Sequence, residues 1–301
     1  MLSRTELREN DAGAFTLQHG ADRCEIFPQV GGSIGGWTVQ GQQMFRSASA
    51  ASIAARDPFG MASFPLVPYS NRIGNGCFEW DGNIITLARN FLPEPHAIHG
   101  VGFQRAWQVQ ANSTDSALLT LIHQPDASWP WAFEARQRIT IGERILTLHM
   151  SAINLAPHPT PLAFGHHPYF AQRGAYLSFR AQGVWLVGDD GLPAERVNPF
   201  GKFDFCRATP VARGEVDNCF TGWRGPANIV WREMPLGLEI KHSRELSSAV
   251  VYIRNGADCF CFEPVPHINN ALNLGGHEPG MPIIAPGEAF SVSIRFRAVT
   301  P

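Results

Sequence analysis

Short apolar or alternating runs recur between clusters of Gly, Pro, Asn and Asp almost from one end of the sequence to the other. That punctuation leaves little room for helical periodicity and points to an all-β chain. Phe15–Leu17, Cys24–Phe27, Leu118–Ile122, Ile145–Met150, Ile229–Trp231, Leu238–Ile240, Val250–Ile253 and Phe290–Phe296 read as strands. The last of these alternates with period two, as a half-buried antiparallel strand does. Phe78–Trp80 and Asn83–Ile85 flank Asp81-Gly82, a pair that supplies positive φ for a tight hairpin turn. Ser52–Arg56 has room for a single helical turn, and Gly31–Gly36 reads as a strand-to-strand bend.

No linker, fixed-period repeat or low-complexity segment divides the 301 residues. One large antiparallel β-sandwich spanning residues 1–301 is therefore expected. Asp57–Arg72, Asn90–Gly102 and Pro157–Arg173 read as long loops rich in aromatic and polar residues, the segments on a rigid β scaffold where sites tend to sit.

Charge and composition narrow the partner. A formal net charge of −2 carries no basic footprint for nucleic acid, and no apolar run approaches the length of a membrane span. The opening MLSRTELREN lacks the apolar core of a signal peptide, and six dispersed cysteines fit reduced thiols, so a cytoplasmic protein is expected. No G-x-S-x-G elbow, Walker sequence or G-x-G-x-x-G within a βαβ unit occurs. The expected partner is a small, roughly neutral molecule.

Four polar stretches could carry chemistry. Asn71-Arg72-Ile73 follows the aromatic, proline-bearing Phe64–Tyr69, and Arg72 offers a planar donor fork suited to hydroxyl oxygens or a carboxylate. His96 and His99 could handle protons or bind a metal. His166 and His167 are adjacent, so in an extended segment they point to opposite faces and at most one lines a given pocket; Tyr169 and Phe170 could supply an apolar wall. Glu263 ends the apolar run from Cys259, where a carboxylate is costly unless paired or used, and burial would raise its pKa toward that of a general base. Each residue has an ordinary structural explanation when taken alone. Cys259-x-Cys261 lacks a second thiol pair at zinc-site spacing and reads as structural.

The order of these pieces is more informative than any one of them. Asn71-Arg72-Ile73, His99-Gly100, His167-Pro168-Tyr169-Phe170, Val216-Asp217-Asn218 and Phe262-Glu263-Pro264 together resemble the aldose 1-epimerase (galactose mutarotase) family, from about residue 25 to the end. That resemblance implies a β-supersandwich with no metal and no organic cofactor, acting on a monosaccharide. It implies Glu263 as general base, His167 as general acid and His99 as a second active-site histidine. It also implies Arg72 and Asp217, with Asn71, as holders of the sugar hydroxyls and His96 as a neighbour of that group. Ala171-Gln172 stands where the family usually has Asn-Leu, and the segment after Glu263 departs too, as in a divergent bacterial subgroup. A hexose is expected, without a preference for galactose.

Three rivals follow from the same residues. One is a metal-dependent β-sandwich enzyme using His96, His99, His167 and Glu263, although no H-x-H pair occurs. Another is a sugar-binding protein without turnover. The third is a mutarotase for a phosphorylated sugar, which would need cations beyond Arg72, with Arg56 and Arg105 as the nearest candidates in sequence.

Overall fold

The computed structural model describes residues 9, 10, 12–275 and 280–301. The first eight residues, on which the signal-peptide expectation partly rests, lie outside them.

Two large antiparallel sheets face each other as a β-sandwich. The first has 11 strands, running in spatial order through Phe15–His19, Asp22–Phe27, Ser33–Val39, Ser63–Leu66, Gly165–Ala171, Cys259–Val265, Ser248–Ile253, Val216–Thr221, Gly183–Val187 and Pro193–Val197, with Gln42–Gln43 paired beside Ser33–Val39. The second has 9 strands, in the order Gln108–Ser113, Ser116–His123, Phe133–Gly142, Ile145–Asn154, Ala289–Val299, Gly237–His242, Arg224–Trp231, Ala175–Arg180 and Thr209–Pro210. Residues from both sheets form one continuous apolar core, in which Phe45, in the bend just after Gln42–Gln43, meets Phe296 of the second sheet edge-on with centroids 4.9 Å apart. Among the described residues no helix is long and apolar enough to cross a membrane.

Every expected strand is present. Ala289–Val299 alternates as read, with Phe290, Val292, Ile294, Phe296 and Ala298 buried; each buried large apolar side chain contributes roughly 1.5–3 kcal/mol. The Asp81-Gly82 hairpin joins Cys77–Trp80 to Asn83–Thr86, with both turn residues at positive φ. The short helix is Ala50–Ala55, capped by the Ser49 hydroxyl, which accepts from the Ser52 amide. Of the expected Gly31–Gly36 bend, Gly31 and Gly32 turn between Asp22–Phe27 and Ser33–Val39, while Ser33–Gly36 already belong to the second of these strands. A Cβ on Gly31 would lie 1.9 Å from the Phe103 carbonyl oxygen. All six cysteines are free.

Two expectations are overturned. Asp57–Arg72 is not a loop throughout, since Ser63–Leu66 within it is a buried strand of the first sheet. Nor is Pro157–Arg173 a loop throughout: Gly165–Ala171 is a strand in the middle of the first sheet, between Ser63–Leu66 and Cys259–Val265. Its first six residues are buried because both faces of the sheet are covered there, so it lacks the polar alternation of a half-exposed strand.

Candidate active site

Alternation along the central strands assigns side chains to two faces. Phe170, Phe260, Phe262, Val251 and Phe220 point into the core between the sheets. Tyr169, Cys261, Val250, Cys219 and Trp185 belong to a separate apolar cluster on the other face of the first sheet. Glu263 is two residues beyond Cys261 and His167 two before Tyr169, so both share that outer face. Tyr169 pairs with Cys261, and the same antiparallel register continued by two residues sets His167 opposite Glu263. The His167 Nε2 and Glu263 Oε1 atoms are 3.3 Å apart. His166 faces the other way, fully buried, with Nδ1 against the Ser63 hydroxyl.

Stacking fixes the His167 ring. Phe64, its cross-strand partner, lies parallel to it at 4.5 Å between centroids, and Tyr169 stacks on it at 4.7 Å. The Arg46 guanidinium covers the Tyr169 ring at 3.5 Å. Tyr169 thus supplies the wall expected of it, whereas Phe170 packs in the core against Phe45 and Phe260.

The Asn71 and His99 segments meet because Arg72–Ile73 pairs with Ala97–Ile98. His99 takes φ of +60° and Gly100 +74°; a Cβ on Gly100 would lie 2.2 Å from the Val67 carbonyl oxygen, so this turn requires glycine. The Asn71 amide donates to His99 Nδ1 at 3.1 Å, and the His99 amide donates to the Asn71 carbonyl at 3.0 Å. An accepting Nδ1 leaves the proton of a neutral ring on Nε2. The His99 ring meets His167 edge-to-face at 5.2 Å.

Arg72 lies between two carboxylates. Its Nε is 3.3 Å from Glu94 Oε1, and its Nη1 is 3.5 Å from both Asp217 Oδ2 and Asn71 Oδ1. Asp217 stands on Val216–Thr221, two strands beyond Glu263, and keeps 35% of its side chain exposed, which marks the open side of the site. Arg105 pairs with Asp126 instead, and Arg56 caps the short helix.

His96 is a neighbour of this group, with Nε2 3.8 Å from the same Glu94 Oε1 that contacts Arg72. Its Nδ1 accepts from the Asn75 amide at 2.9 Å, so its Nε2 donates, and that nitrogen lies 2.9 Å from the Asp190 carbonyl. The four-residue metal set of the rival reading is not assembled: among the described residues the metal-type donors that converge are His167, Cys261 and Glu263.

Burial governs the protonation of the site. It raises the Glu263 carboxyl well above its usual value, with the Asp217 charge adding to the rise and Arg72 opposing it. Burial also holds His167 well below the usual imidazole value, helped by neighbouring His99 and Arg46. His99 is lowered to about 3 by burial and by Arg72, and is therefore neutral. Asp217 is raised by burial, with Arg72 opposing.

Sequence reasoning missed three contributors. Glu94 contacts Arg72 only because the 97–98 pairing folds the Pro93-Glu94-Pro95 segment back on it. His267 Nε2 accepts from the Ser70 amide at 3.2 Å. Asn270 donates from its amide to the Arg72 carbonyl at 2.8 Å and accepts from the Gly74 amide at 2.8 Å. The divergent segment after Glu263 thus clamps the Arg72 strand, and its run of polar residues, buried at His267, Asn269 and Asn270, was the available signal.

The site is thus a buried imidazole–carboxylate pair, His167 and Glu263, on the outer face of the sandwich, with His99 against its imidazole and the Asp217 and Arg72 charges acting on its carboxyl. The family model for aldose 1-epimerase matches residues 13–297. The chain belongs to the aldose 1-epimerase family. It is 26% identical over 295 residues to the uncharacterized protein YphB of Escherichia coli K12, covering 94% of this chain and 98% of that one. A crystal structure of an aldose 1-epimerase candidate from Escherichia coli K12 superposes with TM-score 0.87 at 26% identity, over 96% of this chain and 99% of that one. A galactose mutarotase-like protein from Clostridium acetobutylicum shares the fold, with TM-score 0.85 at 17% identity over 98% and 99% of the two chains.

Proposed function

We propose that this protein is a cytoplasmic aldose 1-epimerase that interconverts the α and β anomers of a free hexose. The observation that carries the reading is the 3.3 Å approach of His167 Nε2 to Glu263 Oε1 in a buried site. The anomeric hydroxyl oxygen and the ring oxygen of a pyranose are bonded to the same carbon. An acid and a base that serve both must therefore stand side by side.

Glu263 takes the proton of the anomeric hydroxyl while protonated His167 gives one to the ring oxygen. The bond from C1 to the ring oxygen breaks, and C1 becomes an aldehyde carbon. After rotation about C1–C2 the protons return and the ring closes on the opposite face. Protons begin and end on the same two residues, so no oxidant or reductant is needed. The raised Glu263 pKa makes its carboxylate a stronger base, and the lowered His167 pKa makes its imidazolium a stronger acid. The active state holds one proton between the two groups, and transfer across their contact converts Glu263–COOH with neutral His167 into the carboxylate–imidazolium form.

Neutral His99 offers Nε2–H to a sugar oxygen. Arg72 and Asp217, with Asn71, bind the outer hydroxyls, the cation in place between Glu94 and Asp217. His96 acts at one remove, by holding the Asp190 turn and Asn75 beside the Arg72 strand. The two carboxylates around Arg72 favour a neutral sugar over a phosphorylated one. Polarimetry of freshly dissolved α-D-glucose and α-D-galactose tests the activity: the protein should speed the approach to an unchanged final rotation. Failure across a wider panel of free aldoses would favour a binding protein without turnover.

A further inference from the structure

Cys261 has no part in that mechanism, yet its thiol faces the acid–base pair. The imidazole of His167, the Cys261 sulfur and a Glu263 oxygen lie within 4.8 Å of one another, and all three residues are buried. Glu263 is 2% exposed, and its Oε2 has no hydrogen-bond partner. We propose that these three side chains form a binding site for a thiophilic divalent cation, zinc above all, and that an occupied site blocks the acid–base pair. The blocking rests on the mutarotase reading; the binding does not.

Ligand chemistry and spacing both favour zinc. Neutral imidazole, thiolate and carboxylate are its three usual protein donors, and three of them leave a fourth tetrahedral position for water. With bonds of about 2.05 Å to nitrogen and oxygen, the edge of a zinc tetrahedron is about 3.3 Å. The His167–Glu263 separation is 3.3 Å, so that edge already exists. A zinc–sulfur bond of about 2.3 Å requires the sulfur within about 3.6 Å of the other two donors. From the present upper bound this is a closure of about 1.2 Å at most, within reach of a change in the Cys261 side-chain torsion.

The rings that clamp His167 also hold the first donor in place. Phe64 and Tyr169 both stack on it, so the imidazole need not be ordered on binding. Hard cations are disfavoured because magnesium and calcium take oxygen donors in larger numbers. Binding expels the Cys261 thiol proton and any proton shared by His167 and Glu263. Because those protons leave on binding, affinity should rise with pH.

Cadmium titration of the full-length protein gives a readout independent of turnover, because a thiolate bound to cadmium shows an ultraviolet charge-transfer band. One equivalent should develop the band, and zinc should compete it away. Cys261→Ala and Cys261→Ser should each weaken binding at least tenfold while keeping basal mutarotation. Cys259→Ala should leave both unchanged, since Cys259 lies outside the donor group and contacts Arg46. Zinc should inhibit mutarotation at the concentration where it binds, and Cys261→Ala should relieve the inhibition. Absence of a one-equivalent band, or a band that survives in both Cys261 variants, overturns the site and leaves the mutarotase reading intact. Binding that depends on Cys261 but leaves turnover unaffected supports the site and overturns the assignment of His167 and Glu263 as the reacting pair.

Discussion

His167 and Glu263 face each other across two neighbouring antiparallel strands, with Nε2 and Oε1 3.3 Å apart. Burial moves their pKa values in opposite directions, up for the carboxyl and down for the imidazole. A pair that reacts while holding one proton between its members has a bell-shaped pH dependence. As pH falls the pair gains a second proton and Glu263 cannot act as base; as pH rises it loses its last proton and His167 cannot act as acid. kcat/KM for mutarotation, measured by polarimetry across the stable pH range, should fall on both sides of a maximum. A flat profile would count against a titrating pair.

Arg72 lowers the Glu263 pKa and contacts Asp217 at 3.5 Å. Arg72→Ala removes both influences. The acid limb of the pH profile should move to higher pH, because the carboxylate loses a stabilising cation. KM should rise roughly 10- to 100-fold through lost hydroxyl contacts, on the order of 1.4–2.8 kcal/mol. An unchanged KM and an unmoved limb would remove Arg72 from the site.

Gly100 is the residue through which backbone geometry positions His99. Alanine there would need a φ of +74° and would drive its Cβ against the Val67 carbonyl. Gly100→Ala should lower stability by roughly 1–3 kcal/mol or more, read as a fall in denaturation midpoint, and should lower kcat by displacing His99.

Buried neutral histidines should make the fold acid-sensitive. His99 and His166 are lowered from 6.5 to about 3 and His267 to about 4, each chiefly by burial. Unfolding lets each bind a proton that the folded state refuses. Their stabilising contribution is complete above pH 6.5 and is lost as pH falls from there toward 4, each by roughly 1.4 kcal/mol per pH unit. Glu263 and Asp217, with their pKa values raised, contribute in the opposite direction, whereas His123, His167 and His242 are lowered by burial as well and add to the acid sensitivity. Thermal unfolding from pH 8 to pH 4 should show Tm level above about 6.5 and dropping below it. Replacing His267, which accepts from Ser70, with asparagine should flatten part of that drop.

The Asp-Gly hairpin and the alternating Ala289–Val299 strand were legible because each is fixed by local rules: a primed turn that needs positive φ, and one face in water. Gly165–Ala171 was not, because it is covered on both faces and contains Pro168, and those features mimic a loop. Adjacency correctly implied that His166 and His167 part company, but which of them meets a carboxylate depends on a strand pairing remote in sequence. Glu94 was out of reach for the same reason: its contact with Arg72 passes through the pairing with Ala97–Ile98. His96 reads the same as His99 in sequence, yet one ring is spent on two backbone groups while the other keeps Nε2 for the site.

Glu263→Gln tests the central claim most directly, because it keeps the size of the side chain and removes its basicity. Polarimetry of a substrate anomer, with sugar binding measured in parallel by calorimetry, separates the roles of base and ligand. Turnover should fall by at least about a thousandfold while the sugar Kd changes by less than about tenfold. Turnover preserved in this variant would contradict the assignment of Glu263 as the base that opens the ring.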